Sequence, residues 1–139
     1  MNLFNLHSNP EQLARYKDRL QVPEYAYTYA ASKNRRIPEL EPYIMKDPGY
    51  AYLYARYVIK GRWPEAEPTI MKDTWEAYLY ARYVIEGRWP EAEPYIMKDP
   101  AWAEEYARVI IKGRWPEAEL YIMQDHVVWR YYTRMLGIG

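Results

Sequence analysis

The sequence predicts an all-α protein, a right-handed α-solenoid of helix–turn–helix units with a 26-residue period. The first observation is Arg62-Trp63-Pro64-Glu65-Ala66-Glu67, which returns as Arg88-Trp89-Pro90-Glu91-Ala92-Glu93 and Arg114-Trp115-Pro116-Glu117-Ala118-Glu119, each time 26 residues on. Arg36-Ile37-Pro38-Glu39-Leu40-Glu41 is an earlier copy in the same register. The second is the apolar spacing between these motifs, which follows the helical repeat of 3.6 residues. The third is that helix start and stop signals recur at fixed places. Self-similarity at a fixed period of this length is the signature of stacked helical units.

Residues 48–73, 74–99 and 100–125 are the clear units, and 25–47 is a diverged one whose first helix is one residue shorter. Residues 1–24 read as an amino-terminal cap and 126–139 as a carboxy-terminal capping half-unit. In the cap, Ser8-Asn9-Pro10-Glu11 is a capped helix start, and Leu13-Ala14-Arg15-Tyr16 echoes Tyr54-Ala55-Arg56-Tyr57.

Within a unit the first helix begins after an aspartate. Asp47, Asp73, Asp99 and Asp125 stand at the N-cap, with Pro48 and Pro100 at the first helical position. The helix is expected to run about a dozen residues to Gly61, Gly87 or Gly113, as the left-handed residue that closes it. Pro64, Pro90 and Pro116 open a shorter second helix with glutamates in its first turn, where the helix dipole favours negative charge. Pro68 and Pro94 follow closely and predict a tight or irregular turn there.

The core face follows from the spacing. Ala51, Tyr54, Ala55, Val58 and Ile59 share one helical face, and Ala77, Tyr80, Ala81, Val84, Ile85 and Ala103, Tyr106, Ala107, Ile110, Ile111 repeat it. The recurrent alanines imply close helix approach. Ile70-Met71, Ile96-Met97 and Ile122-Met123 add the second helix's share of the core. In the last helix Trp129 replaces the core alanine while Tyr132 and Leu136 hold the stripe, as a terminal helix without a following neighbour requires.

Composition narrows the function. Lys+Arg and Asp+Glu are both 19, so net charge gives no pull toward nucleic acid or anionic membranes. The chain holds 17 Tyr and 6 Trp against 1 Phe, a balance suited to half-buried sites with the polar tip in water. There is no Cys, hence no disulfide and no thiolate metal site. No signal peptide is read at Met1–His7 and no apolar run approaches a membrane span, so a cytoplasmic location without membrane association is expected.

No cofactor, no metal site and no catalytic activity are expected. With His7 and His126 the only histidines and no Cys, nucleophile–base pairs are nearly unavailable. The carboxylate pairs Glu65/Glu67 and Glu91/Glu93 recur in every unit, whereas a catalytic pair is needed once. Capping and pairing with Arg62, Arg88 and Arg114 account for them.

Candidate binding residues lie off the core stripe. Tyr52, Leu53 and Tyr57 match Tyr78, Leu79 and Tyr83, but Glu104, Glu105 and Val109 take their places in the following unit. If exposed, the six apolar side chains form a patch that marks a partner-binding interface; the other reading is that they pack against the neighbouring helix pair. Two arginine ladders, Arg56, Arg82, Arg108, Arg134 and Arg62, Arg88, Arg114, are possible anion-binding groups. Internal pairing with glutamate or stacking on tyrosine explains them equally.

The motif Tyr54-Ala55-Arg56-Tyr57-Val58-Ile59-Lys60-Gly61-Arg62-Trp63-Pro64-Glu65-Ala66-Glu67 resembles tandem repeats of uncharacterised proteins from tailed bacteriophages and some bacteria. The resemblance covers about residues 25–136 and carries no catalytic residue over. It implies a phage or phage-like origin and a place in the host cytoplasm. The expected function is non-catalytic protein–protein interaction, extending to modulation of a host antiviral-defence protein. The alternatives are a nucleotide or nucleic-acid binder using the arginine ladders, and a self-associating structural module.

Overall fold

The computed structural model describes residues 10–138. Helices α1 (Pro10–Arg19) and α2 (Pro23–Lys33) open the chain, and the units follow in order. Their long first helices are α4 (Pro48–Tyr54), α6 (Thr74–Tyr80) and α8 (Pro100–Tyr106). Their short second helices are α3 (Glu41–Ile44), α5 (Glu67–Ile70), α7 (Glu93–Ile96) and α9 (Glu119–Ile122), and α10 (His126–Leu136) closes the fold. The described residues are all-helical, with no strand. None of their helices is long and apolar enough to cross a membrane. His7 and the Ser8-Asn9 cap lie outside the described residues.

The aspartate caps form as the sequence predicts. Asp47 and Asp73 accept from the backbone N–H groups of Tyr50 and Glu76 at 3.1 Å, and Asp99 and Asp125 cap α8 and α10 in the same way. Each satisfies an N–H that the helix leaves without an internal partner. The helix of the diverged unit opens at Pro23, ahead of the expected boundary at 25, because proline suits the first helical position.

The far end of each long helix departs from expectation. Over Ala55–Ile59, Ala81–Ile85 and Ala107–Ile111 the chain widens into a π turn. The residue with left-handed backbone is then Lys60, Glu86 or Lys112, at φ 63°, 61° and 62°. Gly61, Gly87 and Gly113, expected in that role, stand one residue later and have no positive φ. The widening accounts for the shift: the Ala55 carbonyl accepts both the Lys60 N–H at 2.7 Å and the Gly61 N–H at 3.2 Å.

The two end units lack this feature. Helices α2 and α10 stay α-helical to their left-handed caps, Asn34 at φ 52° and Gly137 at φ 76°. Both are one residue shorter, from N-cap to left-handed cap, than the central first helices. A π turn is what one extra residue produces when the flanking helix keeps its register.

Between helices, a short 3-10 segment at Pro38–Leu40, Pro64–Ala66 or Pro116–Ala118 leads into the second helix. The segment at Pro116–Ala118 forms with Leu120 in place of the second proline, so the second proline is not what makes the turn tight. The core runs continuously through the units: Ala51, Ala55, Ala77, Ala81, Ala103 and Ala107 are fully buried, letting the long helices approach closely. Ile70, Ile96 and Ile122 are fully buried as expected. Their methionine neighbours sit further out, half-buried at Met71 and Met97 and exposed at Met123. Trp129 is half-buried and stacks on Tyr132 at 5.4 Å, so the terminal helix retains a partly covered outer side.

Candidate functional site

The turn motif forms a polar clasp between neighbouring units. Arg62 places Nε and Nη2 on the two oxygens of Glu67 at 2.9 and 2.8 Å. The Tyr80 hydroxyl of the next unit donates to Glu67 at 2.6 Å and accepts the Trp63 N–H at 2.7 Å. The same four groups meet at Arg36, Glu41, Tyr54 and Ile37, at Arg88, Glu93, Tyr106 and Trp89, and at Arg114, Glu119, Tyr132 and Trp115. The Tyr54, Tyr80 and Tyr106 rings also pack on the tryptophan of the following turn, as Tyr80 does on Trp89 at 4.7 Å. Each of these three side chains thus ties the preceding turn through its hydroxyl and the following turn through its ring.

Electrostatics in the clasp favour the charged pair. Burial pushes the Glu67 carboxyl up, but the bonds from Arg62 and Tyr80 outweigh it and hold it below its ordinary range. Glu41 and Glu93 behave alike, and Glu119 is held down chiefly by Arg114. The Tyr54, Tyr80 and Tyr106 hydroxyls are pushed well above their ordinary value, first by burial. The clasp is therefore Arg⁺, Glu⁻ and neutral Tyr throughout the physiological range. Arg62, Arg88 and Arg114 place their bidentate edge on Glu67, Glu93 and Glu119 within it.

The other ladder lies on the long helices and differs from rung to rung. Arg56 donates Nη1 to the Tyr52 hydroxyl at 2.8 Å and lies over the Tyr57 and Tyr83 rings at 4.8 and 4.1 Å. Arg82 donates Nη1 to the Tyr78 hydroxyl at 3.1 Å and lies over Tyr83 at 4.9 Å. Arg108 instead takes Glu104 on Nε at 2.9 Å and Glu105 on Nη2 at 3.1 Å. Arg134 is exposed, beside a cleft of about 490 Å³ that it shares with Glu104, Arg108, Tyr131 and Met135.

The proposed Tyr/Leu patch splits on the same surface. Tyr52 and Tyr78, 3% and 1% exposed, are part of the core, and Leu53 and Leu79 are half-buried against it. Tyr78 packs on Trp102 of the next first helix, and with Tyr52 and Tyr78 both buried the contiguous six-residue patch does not exist as such. Tyr57 and Tyr83 remain open, at 49% and 37%. What the surface offers is an alternating row, Tyr57, Arg56, Tyr83, Arg82, running across two units.

Two residues that the sequence reading passed over extend this surface. Trp75 is exposed and packs on Trp102 at 4.6 Å, and Trp102 lies 5.3 Å from the Tyr78 ring. Their signal was a departure from the repeat, since Gly49 and Ala101 stand at the first place and Tyr50 and Glu76 at the second. Between the second and third π turns a smaller cleft of about 230 Å³ is lined by Arg82, Glu86, Gly87, Val109, Ile110 and Lys112.

Among the described residues, no group of three or more His, Asp or Glu side chains is arranged to hold a metal ion. His126 is exposed at the start of α10. No family model, curated protein or solved structure matches this chain.

Proposed function

We propose that the protein is a non-catalytic binding module, a right-handed α-solenoid of 26-residue units that docks a partner protein on the row of π turns. The observation that carries this reading is the extra residue in the three central first helices. Helix α10, one residue shorter from N-cap to left-handed cap, contributes the same clasp tyrosine without it, so the clasp does not require it.

The extra residue also brings local strain. Each π turn replaces α-helical hydrogen bonds by longer-range ones, a rare arrangement that concentrates at functional positions. Each is followed by a lysine or glutamate in left-handed backbone, of order 1 kcal/mol less favourable than glycine there. The end units place Asn34 and Gly137 at that point, residues that tolerate it. The π turns touch one another in sequence, so the three form one row displaying Arg56, Tyr57, Arg82 and Tyr83. Tyrosine and arginine are the residues that most often dominate binding energy at interfaces. The resemblance to phage repeats makes a host protein the partner class we propose.

The test is site-specific photo-crosslinking in producing cells, with p-benzoylphenylalanine in place of Tyr57, Tyr83 or, as control, Tyr95 on α7. The reading expects one defined heterologous adduct from positions 57 and 83 and none from 95. An adduct of twice the chain's own mass would assign the row to self-association instead. Adducts equal at all three positions, or absent from all, would refute the docking surface.

A further inference from the structure

The row's two open arginines identify the chemistry of what it holds. We infer that Arg56 and Arg82 form a carboxylate-binding pair for an acidic segment of the partner protein, an inference that rests on the docking role proposed above.

The first support is internal precedent. Arg36, Arg62, Arg88 and Arg114 all take a carboxylate on the Nε/Nη2 edge. Arg56 and Arg82 use only Nη1, on a tyrosine hydroxyl, and no carboxylate of the described residues lies within salt-bridge distance of either. Their Nε/Nη2 edges carry no carboxylate. A planar guanidinium with that edge free is shaped for two parallel bonds to one carboxylate.

The second support comes from the next rung. Arg108 occupies the same place in its unit, and there the chain supplies the acids itself, Glu104 and Glu105, on Nε and Nη2. Glu104 stands where Tyr52 and Tyr78 stand in the preceding units. The tyrosines satisfy Nη1 and leave the rest of the guanidinium unfilled. What Arg108 receives from its own helix, Arg56 and Arg82 are left to receive from outside.

The rings beside the two arginines favour an acidic peptide over a nucleic acid. A single-strand binder needs open aromatic faces for bases to stack on. Here Tyr83 carries Arg56 and Arg82, and Tyr57 carries Arg56. The rings are already used to orient guanidinium groups, which lowers the ordering needed on binding. A long polyanion would also meet repulsion along the row. Glu105 stands near the Tyr78 hydroxyl and raises its pKa, after burial, and Glu86 lines the cleft beside Arg82. The cations here are Arg56 and Arg82, with Lys112 lining the cleft beside Arg82, a span that suits a short cluster of carboxylates.

Binding is measured by fluorescence anisotropy on the full chain at low salt, using fluorescein-labelled, carboxy-terminally amidated hexaglutamate and a thymidine hexanucleotide labelled through a 5′-phosphodiester, so that each presents about six charges. Hexaglutamate is expected to bind, about tenfold more weakly for Arg56→Gln and again for the Arg56→Gln/Arg82→Gln pair. Arg108→Gln, whose edge is already filled, is expected to leave affinity unchanged. Glu104→Gln/Glu105→Gln is expected to strengthen it by opening a third arginine. Arg56→Lys keeps the charge and loses the planar edge, so it should retain only part of the binding. Circular dichroism confirms the fold of each variant. Tighter binding of the hexanucleotide, an unchanged affinity in the double variant, or no hexaglutamate binding would overturn the inference. Should the 57 and 83 crosslinks persist while hexaglutamate fails, the acidic chemistry falls and the docking surface stands.

Discussion

Tyr80→Phe removes one oxygen and probes how much of the stability rests on the clasp. That hydroxyl accepts the Trp63 N–H and donates to Glu67, and Tyr80 and Trp63 are both essentially inaccessible to solvent. The neutral bond contributes about 1 kcal/mol and the bond to the carboxylate about 1.5–3. Water cannot reach the stranded Trp63 N–H to replace the loss. A destabilisation of about 3 kcal/mol is expected, with the ring's contact to Trp89 at 4.7 Å retained. With an m-value of roughly 2 kcal/mol/M, the urea midpoint would fall by about 1.5 M. The melting temperature would fall by roughly 10 °C for a chain of this size.

The comparison that gives this test its force is Tyr132→Phe. Its bond to Glu119 is longer, at 3.1 Å, and Arg114 is the most exposed of the clasp arginines. The expected loss there is about 1–2 kcal/mol. Chemical unfolding followed by far-ultraviolet circular dichroism, with the m-value checked for constancy, measures both. A loss below about 1 kcal/mol for Tyr80→Phe would refute the reasoning, as would an end variant costing as much as the central one.

The remaining expectations concern the π turns and the charged clasps. Glu86→Gly should stabilise by about 0.5–1 kcal/mol by relieving left-handed backbone, whereas Gly87→Ala, whose added Cβ meets nothing within 4 Å, should be neutral or mildly stabilising. The opposite order in thermal melts would mean that the glycine is the left-handed residue after all. Deleting Ile85 should return that helix to α geometry and leave a folded chain with native helix content, and loss of cooperative unfolding would show that stacking needs the extra residue. Because Glu41, Glu67, Glu93 and Glu119 titrate below the ordinary 4.5 when folded, their contribution is complete above that pH and disappears as pH falls through the depressed values. The urea midpoint should therefore be flat from neutrality to about pH 5 and drop below it, more gently for Glu67→Gln; equal acid slopes would remove the clasps as the cause.

Much of this protein was legible in the order of its residues, because the features concerned are local. Aspartate caps, proline starts and the 3.6-residue apolar stripe act within one or two helical turns, and the all-helical class followed from them. The buried alanines and the buried Tyr54, Tyr80 and Tyr106 came from the same periodicity, whereas its isoleucines Ile59, Ile85, Ile110 and Ile111 are only half-buried. The clasp arginines were readable as paired, although the partner proved to be Glu67 and its equivalents with a tyrosine from the next unit, at a separation of 13 residues. No local rule reaches that far.

Tertiary structure alone decided three things. It decided that Tyr52 and Tyr78 are covered while Tyr57 and Tyr83 are open, because a helix stripe wide enough for two neighbours cannot be divided into buried and exposed halves from spacing alone. It decided that the extra residue of the central first helices becomes a π turn that moves the left-handed position from glycine to Lys60, Glu86 and Lys112. Flanking helices held in register by their neighbours leave the added residue nowhere else to go. Finally, it sorted chemically identical arginines into filled and open. Arg62 and Arg108 meet carboxylates and Arg56 and Arg82 do not, and that difference depends on where side chains from neighbouring turns and units come to rest.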